Sequence, residues 1–398
     1  MKLSQRALGI HPSPTLAIDA KAKQMIQEGM DVIGFGAGEP DFDTPEGITQ
    51  EAINSLRRGE TKYTPASGTL QLKEAVCYKM ERDHGLKYNP NEVVICCGAK
   101  HALYNLFQVI CDPGDEVIIP APYWVSYSEQ VVLAGAKPVF IQTTEAAGFR
   151  MTAAQFEAAI TPRTVALVLN SPSNPTGAVY SKAELEAIAK VAVTHKILVI
   201  SDEIYEQLIY ENTHHSIAAL NPEIKAQTII INGVAKTFAM TGWRIGYAVG
   251  DAKIIKAIGD LQSHSTSNPV TFCQSPSALA LRQPPVNEIN QMVQEFKKRR
   301  DYMVNVINQI PGISCRKPEG AFYVFANISG LIGKDLAGKI INNGDDFAEV
   351  LLEKANVAVV PGTGFGAPGY IRLSYATSME KIEKGLERIK RFVESELK

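Results

Sequence analysis

The chain has 398 residues, 45% of them hydrophobic, and a formal net charge of −2. That length and apolar content suit a globular protein of two domains around a large core. The near-balanced charge argues against nucleic acid or an anionic membrane as partner, and no apolar run approaches the length of a membrane span. The opening Met1-Lys-Leu-Ser-Gln-Arg6 has no apolar signal-peptide core. None of the cysteines, at positions 77, 96, 97, 111, 273 and 315, forms a C-x-x-C pair. They read as buried thiols in a reducing cytosol, so a cytoplasmic location is expected.

In chain order, residues 1–30 read as an arm and a first helix. His11-Pro-Ser-Pro14 is extended or turning, because each proline biases its predecessor away from helix. Ala17 to Gln27 has helical composition. Val32 to Phe35 is a short strand running into Gly36-Ala-Gly-Glu-Pro-Asp-Phe-Asp-Thr-Pro45. Gly38 in that loop can approach a ligand through its backbone. Helices are predicted over Pro45–Arg58 and Ser67–Arg82, with Lys62-Tyr-Thr-Pro65 between them. Glu92 to Cys96 is a strand that ends in Gly98-Ala-Lys-His-Ala-Leu-Tyr104. A strand, a small-residue turn and a helix leave free backbone N–H groups at the helix start, a ready anion site.

Glu116–Ile119 is the next strand, followed by Pro120-Ala-Pro-Tyr-Trp124, whose indole either packs in the core or stacks on a flat ring. Strands are predicted at Lys137–Gln142 and Val165–Leu169. The second feeds the turn-rich Asn170-Ser-Pro-Ser-Asn-Pro-Thr-Gly177. A helix over Glu184–His195 leads to the apolar strand Ile197–Ile200 and Ser201-Asp-Glu-Ile-Tyr205. Asp202, at the end of a buried strand, is either a helix N-cap or the partner of a buried cation.

Thr228-Ile-Ile-Ile231 is a β-branched strand expected to stop at the turn signal Asn232-Gly233. Lys236 then lies past a strand end, the edge where open α/β sheets bind ligands. Partial desolvation there favours the neutral amine, the form that attacks a carbonyl. Arg244, eight residues on, offers a fork of donors suited to a phosphate. The competing reading is a solvated lysine and a surface arginine.

Strands alternate with helices from about residue 90 to 250, which suggests a mostly parallel sheet covered on both faces. From about residue 286 the pattern changes. A long helix over Asn287–Gln309 is followed by strands at Ser314–Arg316 and Gly320–Asn327, a helix near Asp345–Lys354, strands at Val357–Val360 and Tyr370–Tyr375, and a last helix from Glu380. This reads as a smaller α+β domain. Gly364-Phe-Gly-Ala-Pro-Gly369 matches G-x-G-x-x-G, but a strand follows it where a dinucleotide fingerprint needs a helix. His214-His215 has no matching Cys or His spacing, so no metal site is expected.

Asn174-Pro-Thr-Gly177, Asp202-x-x-Tyr205, Lys236 and Trp243-Arg-Ile-Gly246 occur in the order and at about the spacing of the class I aminotransferases of pyridoxal phosphate (PLP) fold type I. The Gly36–Pro45 loop and Arg372-Leu-Ser-Tyr-Ala376 also match, so the resemblance covers essentially the whole chain. It is most like the bacterial aspartate aminotransferases of subgroup Ib.

The resemblance implies a large PLP-binding domain over residues 41–285, an arm and part of the small domain over 1–40, and the rest of the small domain over 286–398. It implies that Lys236 carries PLP and moves a proton, that Asp202 pairs with the ring nitrogen, and that Tyr205 and Asn174 bind the ring's phenolic oxygen. Trp124 would stack on the ring. Gly98, Ala99, Lys100, Arg244 and Tyr63 of a neighbouring subunit would hold the phosphate, so a homodimer is implied. Arg372 would clamp the substrate α-carboxylate, Gly38 would touch the substrate through its backbone, and Lys100, Ser13 and Thr15 would meet a distal carboxylate.

Two positions depart from the family pattern: Ala235 stands where many relatives have serine, and His11 where prephenate-using relatives have Lys or Arg. The implied activity is amino transfer between aspartate and 2-oxoglutarate. The alternatives are an aromatic or glutamate/aspartate-prephenate aminotransferase and, from a different functional class, a PLP-fold non-catalytic regulator.

Overall fold

Eight strands build the part of the molecule that positions the cavity described below: β1 (Ile33–Gly34), β2 (Val93–Cys96), β3 (Glu116–Ala121), β4 (Lys137–Gln142), β5 (Thr164–Asn170), β6 (Leu198–Asp202), β7 (Thr228–Gly233) and β8 (Gly246–Val249). The computed structural model describes residues 2–10 and 14–397. Strands β2 to β8 form one seven-stranded sheet in the order β2-β8-β7-β6-β5-β3-β4. All of its neighbours are parallel except β8, which runs against both β2 and β7.

The strands are β-branched and apolar because both faces are covered. Alternate residues go to opposite faces. Ile230 of β7 joins Val93, Ile95, Tyr247 and Val249 against helices Leu70–His84 and Gln274–Arg282. Ile229 and Ile231 join Val94, Ala248 and Val117 against helices Ala99–Ile110 and Ala252–Ser263. Each fully buried isoleucine contributes roughly 1.5–3 kcal/mol.

Local signals set many helix starts. Ser181 accepts from the Glu184 amide while Glu184 accepts from the Ser181 amide, a capping box that opens helix Lys182–His195. Thr152 and Gln155 do the same for Ala153–Ala159.

Strand β7 runs two residues further than its turn signal predicts: Asn232 and Gly233 pair with Tyr247 and Gly246. The antiparallel partner β8 supplies ladder bonds that outweigh the local preference for a turn. Gly246 has its own reason. A Cβ there would fall 2.8 Å from the Ala99 Cα and closer still to the Ala99 nitrogen, so only glycine lets β8 meet the start of helix Ala99–Ile110. Gly246→Ala is expected to cost at least about 2 kcal/mol by overpacking against backbone, lowering the denaturant midpoint at unchanged slope.

A four-stranded antiparallel sheet, in the order Val360–Pro361, Tyr370–Ser374, Tyr323–Asn327, Ser314–Cys315, forms a second layer. Helices Val286–Ile307 and Met379–Glu396 pack on it around Phe296, Phe322, Tyr375 and Leu386. β1 pairs in parallel with Val357–Ala358, which ties the beginning of the chain to its last third. After Gly364–Gly369 the chain enters strand Tyr370–Ser374 and not a helix. All six cysteines are free. Among the described residues no helix is long and apolar enough to cross a membrane.

Candidate active site

The parallel strands β3, β5, β6 and β7 end at one edge of the large sheet. Because β8 is antiparallel, its beginning lies at that edge, with Gly246 level with Cys96 of β2 and Gly233 of β7. Loops far apart in sequence therefore converge on one cavity of 270 Å³. Trp124 comes from the loop after β3, Asn174 from that after β5, Asp202 and Tyr205 from the end of β6, Lys236 from beyond β7, and Arg244 from just before β8. Ala99 and Lys100 come from the helix after β2, and Gly38 from the loop after β1. Arg372 reaches the cavity from the second sheet.

At the floor, Asp202 is buried. The Tyr127 hydroxyl donates to its Oδ2 at 2.6 Å and the Ile204 amide to its Oδ1 at 3.3 Å. Asn170 Nδ2 donates to its backbone carbonyl at 2.9 Å. Burial raises the carboxyl pKa to about 6, and the two hydrogen bonds to the side chain pull the other way. No helix follows, so the N-cap reading of Asp202 fails. A cation in the cavity would stabilise the ionised form.

Above it, the Lys236 ammonium donates to the Gly38 carbonyl. Burial is the main cause that brings its pKa down to about 8, while Glu39 opposes the shift. A minority of the amine, roughly a tenth, is thus neutral at neutral pH, far more than for an ordinary lysine.

At one end of the cavity, Gly98 takes φ 88° and caps helix Ala99–Ile110. The first amides of a helix have no acceptor inside it. Arg244 lies against this turn, donating to the Cys97 carbonyl at 3.2 Å and the Thr241 carbonyl at 2.8 Å. Helix amides beside a guanidinium make a site for a phosphate. Lys100 faces the same space. Its ammonium is 4.9 Å from the centroid of the Trp124 ring, and burial, then Arg244, lowers its pKa.

At the other end, Arg372 is buried at 2% exposure. It donates to Asn174 Oδ1 at 3.0 Å and to the Gly36 carbonyl at 2.9 Å. Its Nε has no partner, and among the described residues no carboxylate pairs with it. A buried guanidinium with a free donor is costly unless an anion arrives to complete it.

Some predicted residues are not brought together here. Tyr63 is 90% exposed on the surface and does not line this chain's own cavity. Gly98 acts as the helix cap behind the lining. His11, Ser13 and the side chain of Thr15 lie outside the described residues. Asn174 spends its side-chain oxygen on Arg372.

Other lining residues carry no signal in the sequence. Asn170 and Thr241 resemble ordinary turn residues. Tyr127 and Tyr323 resemble core aromatics, since a tyrosine's neighbours in the chain do not reveal where its hydroxyl points. His214 joins His84, Glu203 and Glu206 in a buried cluster behind the cavity, with ligand atoms within 4.8 Å of one another. The Lys79 ammonium contacts Glu206 and lies 3.1 Å from His84 Nε2, so the chain supplies a positive charge there itself. Glu203, Glu206 and His214 share the stretch after β6, but His84 ends helix Leu70–His84, so the spacing around His214 does not show the cluster.

A family model described as aminotransferase class I and II matches residues 30–389. An aspartate aminotransferase of Geobacillus stearothermophilus is 53% identical over 396 residues, 99% of this chain and 100% of that one. The crystal structure of the aspartate aminotransferase from Rhizobium meliloti aligns with a TM-score of 0.96 at 45% identity, covering 99% of each chain. The aspartate aminotransferase from Thermus thermophilus, solved with maleate, aligns at 0.93 and 44% identity, over 98% of this chain and 100% of that one.

Proposed function

The chain belongs to the class I and II aminotransferase family, and from that premise we propose that it is a PLP-dependent aspartate aminotransferase. The two substrates bind in turn. Aspartate leaves as oxaloacetate before 2-oxoglutarate enters and leaves as glutamate. The observation that carries the reading is one cavity holding a desolvated lysine, a buried carboxylate and a buried arginine with a free donor.

The residues fit the cofactor. Asp202 offers a buried carboxylate to the ring nitrogen, with Tyr127 holding it in place. Arg244, Gly98 and the amides of Ala99 and Lys100 would hold the phosphate, and Ala235 leaves them without the hydroxyl that many relatives add. Trp124 would lie against the ring, while Tyr205 and Asn174 would face its phenolic oxygen. When bound, PLP supplies a carbonyl for the amine and a ring that withdraws electron density. Lys236 supplies the base that moves the proton at the substrate Cα. Arg372 holds the α-carboxylate, and the Asn174 and Gly36 bonds keep its guanidinium in plane for that contact. Lys100, with Ser13 and Thr15, would meet the distal carboxylate. Both substrates are dicarboxylates, so one cationic pocket serves both halves of the reaction.

The test is amine exchange by the purified protein, with oxaloacetate and glutamate measured directly. Absence of both products from a PLP-loaded protein would sink the proposal. A homodimer is part of the same reading, supported by the exposed Tyr63, Leu56 and Leu70. A mass of one chain by light scattering at micromolar concentration would contradict it.

The lysine also sets a pH dependence. Below about 8 the Lys236 amine is mostly protonated. Uptake of PLP by the apo-protein, followed by its visible absorption, should quicken about tenfold per pH unit up to that value and level off above it. A rate still climbing at pH 10 would mean that the amine is not desolvated.

A further inference from the structure

Tyr323 has no part in the roles above, although it lines the cavity and is fully buried. Its strand, Tyr323–Asn327, is antiparallel to Tyr370–Ser374, with Phe325 opposite Arg372. Residues two apart on a strand share a face, so Tyr323 is diagonal to Arg372. The Arg372 guanidinium carbon lies 4.4 Å from the centroid of the Tyr323 ring. At the far end of the side chain, the Tyr323 hydroxyl is 2.9 Å from the Tyr205 hydroxyl, with the two rings edge-on at 83°. The same hydroxyl would stand 3.7 Å from a Cβ at Gly38, in the loop whose carbonyl accepts from Lys236. One side chain therefore touches the arginine clamp by its face and the ring-binding tyrosine by its tip.

We propose that Tyr323 is a positioning residue that orients the Tyr205 hydroxyl as a donor into the cavity and braces the Arg372 guanidinium for the substrate carboxylate. The inference rests on the PLP reading of this site. A bond between two hydroxyls can run either way. Only when Tyr323 donates to Tyr205 is the Tyr205 proton left to point at a ring oxygen. The Arg372 cation over the Tyr323 ring favours that direction, because it draws electron density from that phenol and makes it the better donor. Burial raises the pKa of both phenols; the contact with Tyr323 raises that of Tyr205 further, whereas the Arg372 charge and the shared bond pull Tyr323 back. Donation from Tyr323 in turn polarises the Tyr205 O–H and strengthens its own bond.

The test uses the PLP-loaded protein and two variants. Tyr323→Phe removes the hydroxyl and keeps the ring. Tyr323→Leu removes both. Without substrate, the pH midpoint of the visible absorption change is expected to rise by about 0.4–1 unit in Tyr323→Phe, since the Tyr205 hydroxyl is no longer oriented and polarised as donor to the ring oxygen, whose anionic form is then less favoured. KM for aspartate should change less than about twofold in that variant, because the ring still lies under Arg372. In Tyr323→Leu the midpoint should rise equally and KM should rise about 3- to 10-fold.

A folded Tyr323→Phe protein whose midpoint stays within 0.1 unit of the parent overturns the hydroxyl role. An unchanged KM in Tyr323→Leu overturns the bracing role. A parent protein with no visible band overturns instead the cofactor reading beneath both.

Discussion

Lys236→Ala is expected to lower amine exchange by at least about 10⁴-fold and to abolish the visible absorption of the PLP-loaded protein. The lysine has two parts in the proposed reaction, as the nucleophile that holds the cofactor and as the base at the substrate Cα. Positioned proton transfer alone is worth about 10²–10⁴-fold, and covalent attachment adds to it. The structure also offers a control. Lys100 lines the same cavity, and its pKa is lowered too. Its amine lies by the Trp124 ring, whereas that of Lys236 bonds the Gly38 carbonyl. Lys100→Ala should therefore keep the visible band and lose affinity for dicarboxylates. A band that survives Lys236→Ala and disappears in Lys100→Ala would exchange the two roles.

Arg372→Lys is expected to lower kcat/KM for aspartate and for 2-oxoglutarate by about 10²- to 10³-fold while the protein stays folded. Breaking a buried charge pair of this kind costs roughly 2–5 kcal/mol. Lysine keeps the charge but not the planar fork, and the fork is what spans Asn174, Gly36 and a carboxylate together. Stability should respond differently. Without substrate, Arg372 is a buried cation whose Nε has no partner. Replacing it with leucine removes that cost, so the apo-protein should be no less stable, or more so, as the activity falls. Steady-state rates and a denaturant titration of the same preparation check both halves. Equal kcat/KM in Arg372→Lys would show that the α-carboxylate binds elsewhere.

The separate fates of Lys236 and Arg372 as sequence signals show where local reasoning reaches. Lys236 is legible because a β-branched strand, a small-residue turn and a lysine are contiguous. Asp202 and Tyr205 follow the same logic at the end of β6, and Gly98 to Lys100 at the end of β2. Arg372 is legible only as a match to a family pattern. Nothing around it foretells that its guanidinium is buried, bonded to Asn174 and Gly36, and one donor short.

Several elements were also invisible locally. Helices Ser126–Leu133, Ala153–Ala159, Ala252–Ser263 and Gln274–Arg282 were not marked out as elements, although together they cover much of the large sheet. The antiparallel β8 is short and opens on a glycine, which reads locally as a turn.

What the amino-acid order determined by itself is what short-range chemistry can encode. This includes the apolar runs of β3, β5, β6 and β7, the capping box at Ser181, the glycine-rich turns, and the placement of reactive side chains just beyond strand ends. Those features depend on neighbours within a few residues, and backbone sterics and hydrogen bonding act at that range. The tertiary structure alone decided the order of the strands, the reversal of β8 that brings Arg244 to the start of helix Ala99–Ile110, and the pairing of Ile33–Gly34 with Val357–Ala358. It also decided the contacts that tune the chemistry: Tyr127 on Asp202, Tyr323 between Tyr205 and Arg372, and the burial that lowers the Lys236 pKa. Desolvation and hydrogen-bond direction depend on everything that surrounds an atom, and most of those surroundings are supplied by residues far away in the chain.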